Sequence, residues 1–321
     1  MLNISYFGDT DSGRVRTNNE DAYIVQHIWD NKHVLCLVID GVGGYEGGEV
    51  AAGIAQQKIV EFLEKYTDGE RLDLLKQAVV EANNEIVKQR DIQRQYASMS
   101  CVLTACLIHT EKKVVHMVHV GDTRLYQYHA GKLEKLSHDH SLVGYREEIG
   151  NLTEEEAMNH PQRNIVERTL GDVLHQIDDN NFLEAATFPL MPDATLLLCS
   201  DGLSDMLTSM EIASVLQQNI SLKEKVKQLI ACANEKGGND NITVVLAKAS
   251  KVNRKNAKKT KRDPALGDFT EEEITKEQLE KKDTKSEKKS KKRLYVLSFI
   301  LIGIILLASI GWLVYINIFS N

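Results

Sequence analysis

Over its first 250 residues the chain is short of positive charge, with 23 Lys and Arg against 37 Asp and Glu, a balance of −14. A nucleic-acid backbone is held by a basic surface, so this acidic body excludes nucleic acid as the main partner. Cysteines are few and odd in number (Cys36, Cys101, Cys106, Cys199 and Cys232), and no two have zinc-ligand spacing. That excludes a disulfide framework and a cysteine zinc site, and leaves reduced, buried thiols in a cytosolic domain. Residues 1–10 have neither a basic start nor a long apolar core, so no cleaved signal peptide is expected. No internal repeat is present.

Aromatic residues, Pro and Gly are scarce over residues 251–293, which hold one of each: Phe269, Pro264 and Gly267. Lys and Arg number 16 there and Asp and Glu 9. Such a segment cannot bury a core and reads as a charged, flexible linker. Charge is absent from residues 294–321, which are mostly Leu, Ile and Val. About 20 apolar residues cross a bilayer core, so a transmembrane helix is predicted over 294–319. Tyr295 near one end, and Trp312 and Tyr315 near the other, suit the two interfaces. Eight Lys and Arg lie between 281 and 293 and none follows, which predicts a single-pass protein of the cell membrane with its N-terminal domain in the cytoplasm. The same run is predicted to touch anionic lipid headgroups.

What remains, residues 1–250, alternates two kinds of segment. Residues 33–39, 113–120, 195–199 and 242–247 are short runs rich in Val, Ile and Leu and read as buried strands. Residues 49–66, 72–90, 209–217 and 222–235 have helical spacing; in the first, Ile54, Ile59, Phe62 and Leu63 fall near one face. Residues 124–128 are expected to pair with 113–120 as a hairpin around residues 121–123. Hairpins with helices packed outside make a layered α+β domain.

Four aspartates follow one pattern, an apolar strand or a Gly-containing turn beside an Asp: Asp40 after VLCLVI, Asp122 after MVHVG, Asp201 after TLLLCS, and Asp240 in GGNDN before ITVVLA. One such Asp is an ordinary turn residue. Four would converge negative charge at one sheet edge, a costly arrangement that a divalent cation relieves. Oxygen-only ligands favour Mg²⁺ or Mn²⁺ over zinc. His116, His119, His138 and His140 read as core or surface residues, not as a second ligand cluster.

The ordered motifs RTNNED (16–21), DGVGGYEGGEVAA (40–52), GDTR (121–124), DHSLV (139–143), SDGLSD (200–205) and GGNDNITVV (237–245) resemble the metal-dependent protein phosphatase family, also called protein phosphatase 2C, in its bacterial form. The resemblance covers residues 1–248. It implies a β-sandwich of two antiparallel sheets flanked by helices, with a centre of two Mn²⁺ or Mg²⁺ ions at one edge. Asp40 would bridge both metals, the Gly41 carbonyl would bind one, and Asp201 and Asp240 would bind the other. Glu20 and Asp21 would hold metal-bound waters or ligate directly, and Asp122 and Asp205, with Asp201, a third and weaker site. Arg16 would clamp the substrate phosphoryl group, and residues 141–169 would form a variable flap. A water shared by two cations would attack phosphorus directly, without a phosphoenzyme. Phosphorylated proteins are the implied partners, together with a membrane Ser/Thr kinase and its substrates.

Three positions depart from the family pattern. Val42 stands where some members carry a His general acid, so leaving-group protonation passes to a metal-bound water. Tyr45 replaces a familiar His. Met99, Ser100, Cys101 and Val102 replace a Met-Gly-Thr-Thr turn and are expected to alter packing near the site. Two other functions remain open: a catalytically silent, membrane-tethered phosphoprotein-binding module, and a phosphatase for another phosphomonoester. Asp40, Asp201 and Asp240 together count against the first.

Overall fold

A computed structural model of the chain describes residues 1–251, apart from residues 44–46 and Asn180. The predicted linker beyond Lys251, the predicted span at 294–319 and Tyr45 lie outside the described residues. Among the described residues, no helix is long and apolar enough to cross a membrane.

Ten strands form two sheets. They are β1 (Leu2–Asp11), β2 (Ala22–His27), β3 (His33–Val42), β4 (Ser100–His109), β5 (Val114–Val120), β6 (Arg124–His129), β7 (Lys132–Lys135), β8 (Glu184–Pro189), β9 (Thr195–Cys199) and β10 (Ile242–Lys251). One sheet has the order β1-β10-β9-β6-β7 and the other β2-β3-β4-β5-β8. Every neighbouring pair is antiparallel. Helices α1 (Gly47–Lys65) and α2 (Arg71–Ile92) cover the second sheet, while α6 (Ser209–Gln217) and α7 (Leu222–Glu235) cover the first. Shorter helices are α3 (Leu142–Glu148), α4 (Glu154–Met158) and α5 (Asp201–Ser204).

Three apolar layers follow from strand alternation, in which successive side chains face opposite sides. In β3, Val34, Cys36 and Val38 point between the sheets, while Leu35, Leu37 and Ile39 point to α1 and α2. Helix α1 meets the sheet through Ala51, Ala52, Ala55, Ile59 and Leu63. Its inner face is therefore built on alanines, which bring the helix axis close, and Ile54 and Phe62 lie only partly buried at the edges. Capping boxes start α6 (Thr208 and Glu211) and α7 (Ser221 and Glu224), so both helices begin where the sequence signals them. All five cysteines are unpaired thiols, and only Cys232 is not fully buried.

The expected hairpin of 113–120 with 124–128 does not form. Both edges of β5 are taken, by β4 and β8, so β6 crosses to the other sheet and pairs with β9 and β7. Residues 121–123 are thus a crossing between sheets. Lys113 lies in the preceding turn at φ +57°, outside the strand.

Candidate active site

The antiparallel topology places several strand ends at one pole of the sandwich. There β1, β3, β5 and β9 finish and β2, β6 and β10 begin. Asp40 sits near the end of β3, opposite Val102 on β4. Asp21 immediately precedes β2, Asp201 opens α5 two residues after β9, and Asp240 lies two residues before β10. Asp122 occupies the crossing between β5 and β6, and Asp205 caps the end of α5.

Asp240 and Asp205 each meet an arginine, but Asp21, Asp40, Asp122 and Asp201 have no ion-pair partner among the described residues. Desolvation pushes the Asp40 carboxyl well above its ordinary range, reinforced by Asp21, Asp201, Asp122 and Asp240. Asp201 is pushed well up by desolvation and by Asp122, Asp205 and Asp240. Desolvation raises Asp21 to about 7, against the opposing hydrogen bonds from Thr243 and Ser200. Desolvation and then Asp139 and Asp205 raise Asp122 to about 7. Asp205 rises to about 6, again by desolvation, with Arg124 and Arg163 opposing. Two carboxylate oxygens, Oδ1 of Asp21 and Oδ1 of Asp201, are buried without a hydrogen-bond partner. Such orphaned anionic acceptors are costly unless a cation meets them.

Neutral residues that lie within the motifs, but to which sequence reasoning gave no role, hold the acids in place. Ser200 Oγ and Thr243 Oγ1 donate to Asp21 Oδ2 at 2.8 and 2.6 Å. Asn241 donates to the carbonyls of Ser12 (3.0 Å) and Asn18 (2.8 Å) and accepts from the Glu20 backbone N–H (2.8 Å). It thereby ties the 12–20 loop to the start of β10. Gly41 and Gly48 approach closely: a Cβ on Gly41 would lie 2.3 Å from the Gly48 carbonyl oxygen, and one on Gly48 would lie 2.7 Å from Glu20 Oε2. Desolvation raises the Glu20 carboxyl, with Arg16 opposing.

Arg16 donates to Asp240 Oδ2 at 2.7 Å, and its side chain is half exposed. A second polar group adjoins the cluster. Arg124 makes a forked contact with Asp139, at 2.6 Å from Nη2 and 2.9 Å from Nε to the same oxygen. Arg163, from the 141–169 segment, donates to Asp205 Oδ2 at 2.9 Å. A cleft lined by Asp122, Asp139, Arg163, Asp201 and Asp205 joins these groups. Sequence spacing could not show the Arg163–Asp205 pair, because its members lie 42 residues apart.

His119, His140 and Glu184 also meet, with donor atoms all within 4.8 Å of one another. Hydrogen bonding argues against a metal there. The Gly121 N–H donates to His140 Nδ1 at 3.1 Å, and the Arg168 guanidinium stands 3.4 Å from Nε2, so both ring nitrogens are occupied and a cation already faces the second. Both nitrogens of His119 are engaged, by Thr104 Oγ1 and the Gly121 carbonyl. The core reading of these histidines agrees with these bonds.

The aspartate cluster fits divalent cations. Its donors are oxygens, two are buried and orphaned, and Asp40 and Asp201 are pushed well above the ordinary carboxylate range by desolvation and then by their acidic neighbours. The protein phosphatase 2C family model matches residues 12–247. The chain belongs to the protein phosphatase 2C family. It is accordingly a metal-dependent protein phosphatase. It is 36% identical over 241 residues to the serine/threonine phosphatase stp of Listeria welshimeri, covering 74% of this chain and 92% of that one. The crystal structure of the Mycobacterium tuberculosis serine/threonine phosphatase PstP/Ppp superposes with a TM-score of 0.68 at 31% identity, covering 78% of this chain and all of that one. A structure of the PstP catalytic domain in complex with two manganese ions superposes equally well, at 29% identity with the same coverage. The two-sheet α+β architecture is thus that of the phosphatase 2C fold.

Proposed function

We propose that this phosphatase 2C protein removes phosphate from phosphoserine and phosphothreonine in proteins, at the cytoplasmic face of the cell membrane. The observation that carries the chemistry is the convergence of Asp40, Asp201 and Asp240 at one pole, beside orphaned carboxylate oxygens. Asp40 and the Gly41 carbonyl, with Asp201 and Asp240, would hold two Mn²⁺ or Mg²⁺ ions. Asp122 and Asp205, with Asp201, would hold a third more weakly. When bound, the cations would supply an acidified water and draw charge from the phosphoryl oxygens. Manganese in the PstP complex supports that ion.

The chain's own residues then divide the work. Glu20 and Asp21 orient water at the cluster, with Asp21 held by Ser200 and Thr243. Arg16, half exposed beside Asp240, offers N–H donors to the phosphoryl oxygens. Val42 has no ionisable group, so no side chain at that position protonates the leaving hydroxyl.

The deciding assay is hydrolysis of phosphothreonine peptides by the full-length chain with Mn²⁺ or Mg²⁺. Turnover that disappears with chelator and returns with metal is expected. Full turnover after verified metal removal contradicts the metal reading, and peptide binding without turnover makes the protein a silent binding module. The membrane assignment is supported by the eight basic residues that precede the uncharged 294–321 segment. Protease added outside intact cells is expected to leave the domain uncut; its digestion there would reverse the orientation. Phosphorylated membrane proteins, a Ser/Thr kinase among them, are the partners such a position favours.

A further inference from the structure

We propose that His140, with His119 behind it, is a positioning residue that clamps Gly121 and so sets the Asp122 turn against the root of the 141–169 segment. The proposal rests on the reading of Asp122 as a ligand of the weaker cation site.

Gly121 is held on both of its backbone groups. Its N–H donates to His140 Nδ1 at 3.1 Å, and its carbonyl accepts from the His140 backbone N–H at 2.6 Å and from His119 Nε2 at 3.0 Å. His119 is itself fixed by Thr104 Oγ1 at 2.9 Å, in a fully buried setting. The His140 carbonyl accepts from the Glu167 N–H at 2.7 Å, so one residue joins the turn to both ends of the following segment.

Thr104 Oγ1 holds the far end of the turn, through the Thr123 carbonyl at 3.0 Å and hydroxyl at 2.8 Å, and the imidazoles hold its Gly121 end. Gly121 has φ +105°, where L side chains are strained, and a Cβ there would lie 2.2 Å from a Val102 methyl. Val102 stands at the position where the family pattern has a Thr, and it offers that turn only apolar contact. The next residue, Asp122, lines the cleft together with Asp139, Asp201 and Asp205. Only a neutral imidazole can accept from Gly121, and desolvation, then His119 and Arg168, hold His140 down at about 3. His140 therefore stays in the accepting form throughout the neutral range.

Two near-isosteric variants of the full-length chain separate the clamp from general packing. Asn at position 140 puts an acceptor oxygen where Nδ1 stands, and Gln puts it where Nε2 stands. In chelator, exchange of the Gly121 amide hydrogen is expected to be roughly tenfold faster in His140→Gln than in wild type and little changed in His140→Asn. In calorimetric manganese titrations, His140→Gln is expected to weaken the weakest transition by about tenfold and spare the tighter ones, while His140→Asn retains wild-type binding. Equal Gly121 exchange in wild type and His140→Gln, or equal acceleration in both variants, overturns the clamp. Asp122→Ala isolates the underlying reading. If Asp122→Ala leaves every manganese transition intact while the exchange difference stands, Asp122 is no ligand and only the metal consequence falls. If Asp122→Ala abolishes the weakest transition and His140→Gln leaves it untouched, the positioning role is overturned.

Discussion

Asp240 divides its two oxygens: Oδ2 accepts from Arg16 and Oδ1 accepts from the Asn241 backbone N–H at 2.8 Å. Removing the guanidinium therefore frees a carboxylate at the cluster and takes away the donors proposed to meet the phosphoryl group. Arg16→Ala is expected to lower kcat/KM by roughly tenfold to a hundredfold, mostly through KM, as befits loss of one charge-assisted contact. Steady-state kinetics on a phosphothreonine peptide read this directly, and unchanged constants remove Arg16 from the site. The buried acids make a second prediction. Asp21 and Asp122 at about 7, and Asp205 at about 6, all stand above the unfolded value. The metal-free folded chain thus keeps protons that the unfolded chain releases from about pH 4 upward. Stability from these groups is complete below about pH 4 and is lost as pH rises through about 6 to 7. In chelator, the thermal midpoint is expected to fall between about pH 4 and 7. Saturating manganese should restore most at the upper end, where the carboxylates are ionised. A midpoint that climbs with pH in chelator would show that these shifts are absent.

The crossing between β5 and β6 is the element on which the site turns. Gly121→Ala combines a left-handed φ with a collision against Val102. It is expected to cost about 1–3 kcal/mol of stability, read as a lowered thermal or denaturant midpoint. A midpoint equal to wild type would mean that the turn relaxes freely. This crossing also marks the limit of what the sequence made legible. β3 and β9 stand out as uninterrupted apolar runs, and α6 and α7 start at Ser/Thr caps with Glu three residues on, so both helices were readable to the residue. β1, β2 and β8 are half exposed, with mixed polar and apolar positions, and give no comparable signal. The β6 partner was misread because adjacency along the chain favours a hairpin, while the occupied edges of β5 are visible only in three dimensions. At the site, the aspartates declared themselves through strand-end spacing and motif order. Asn241, Ser200 and Thr243 lie in the same motifs, but their roles were not legible, because a neutral side chain acquires its role only from the distant loop or carboxylate that it reaches.

At the scale of the whole molecule, the residues assigned to the chemistry all lie between Arg16 and Asp240. Deleting residues 294–321 is therefore expected to leave peptide turnover within about twofold of the intact enzyme, while slowing action on membrane-borne phosphoproteins through loss of effective concentration. Parallel assays on free peptide and on a vesicle-anchored phosphoprotein separate the two effects; a collapse of peptide turnover would give the segment a part in the chemistry. The ladder between β1 and β10 pairs Leu2 with Lys251 and Asp11 with Ile242. Both ends of the domain thus leave it side by side, at the pole opposite the aspartates. Tension applied between those ends would open the ladder as a zipper, one rung after another from Leu2 inward, without shearing every rung at once. The final rungs adjoin the metal pole, so a mechanical load carried by the domain would reach the catalytic groups last.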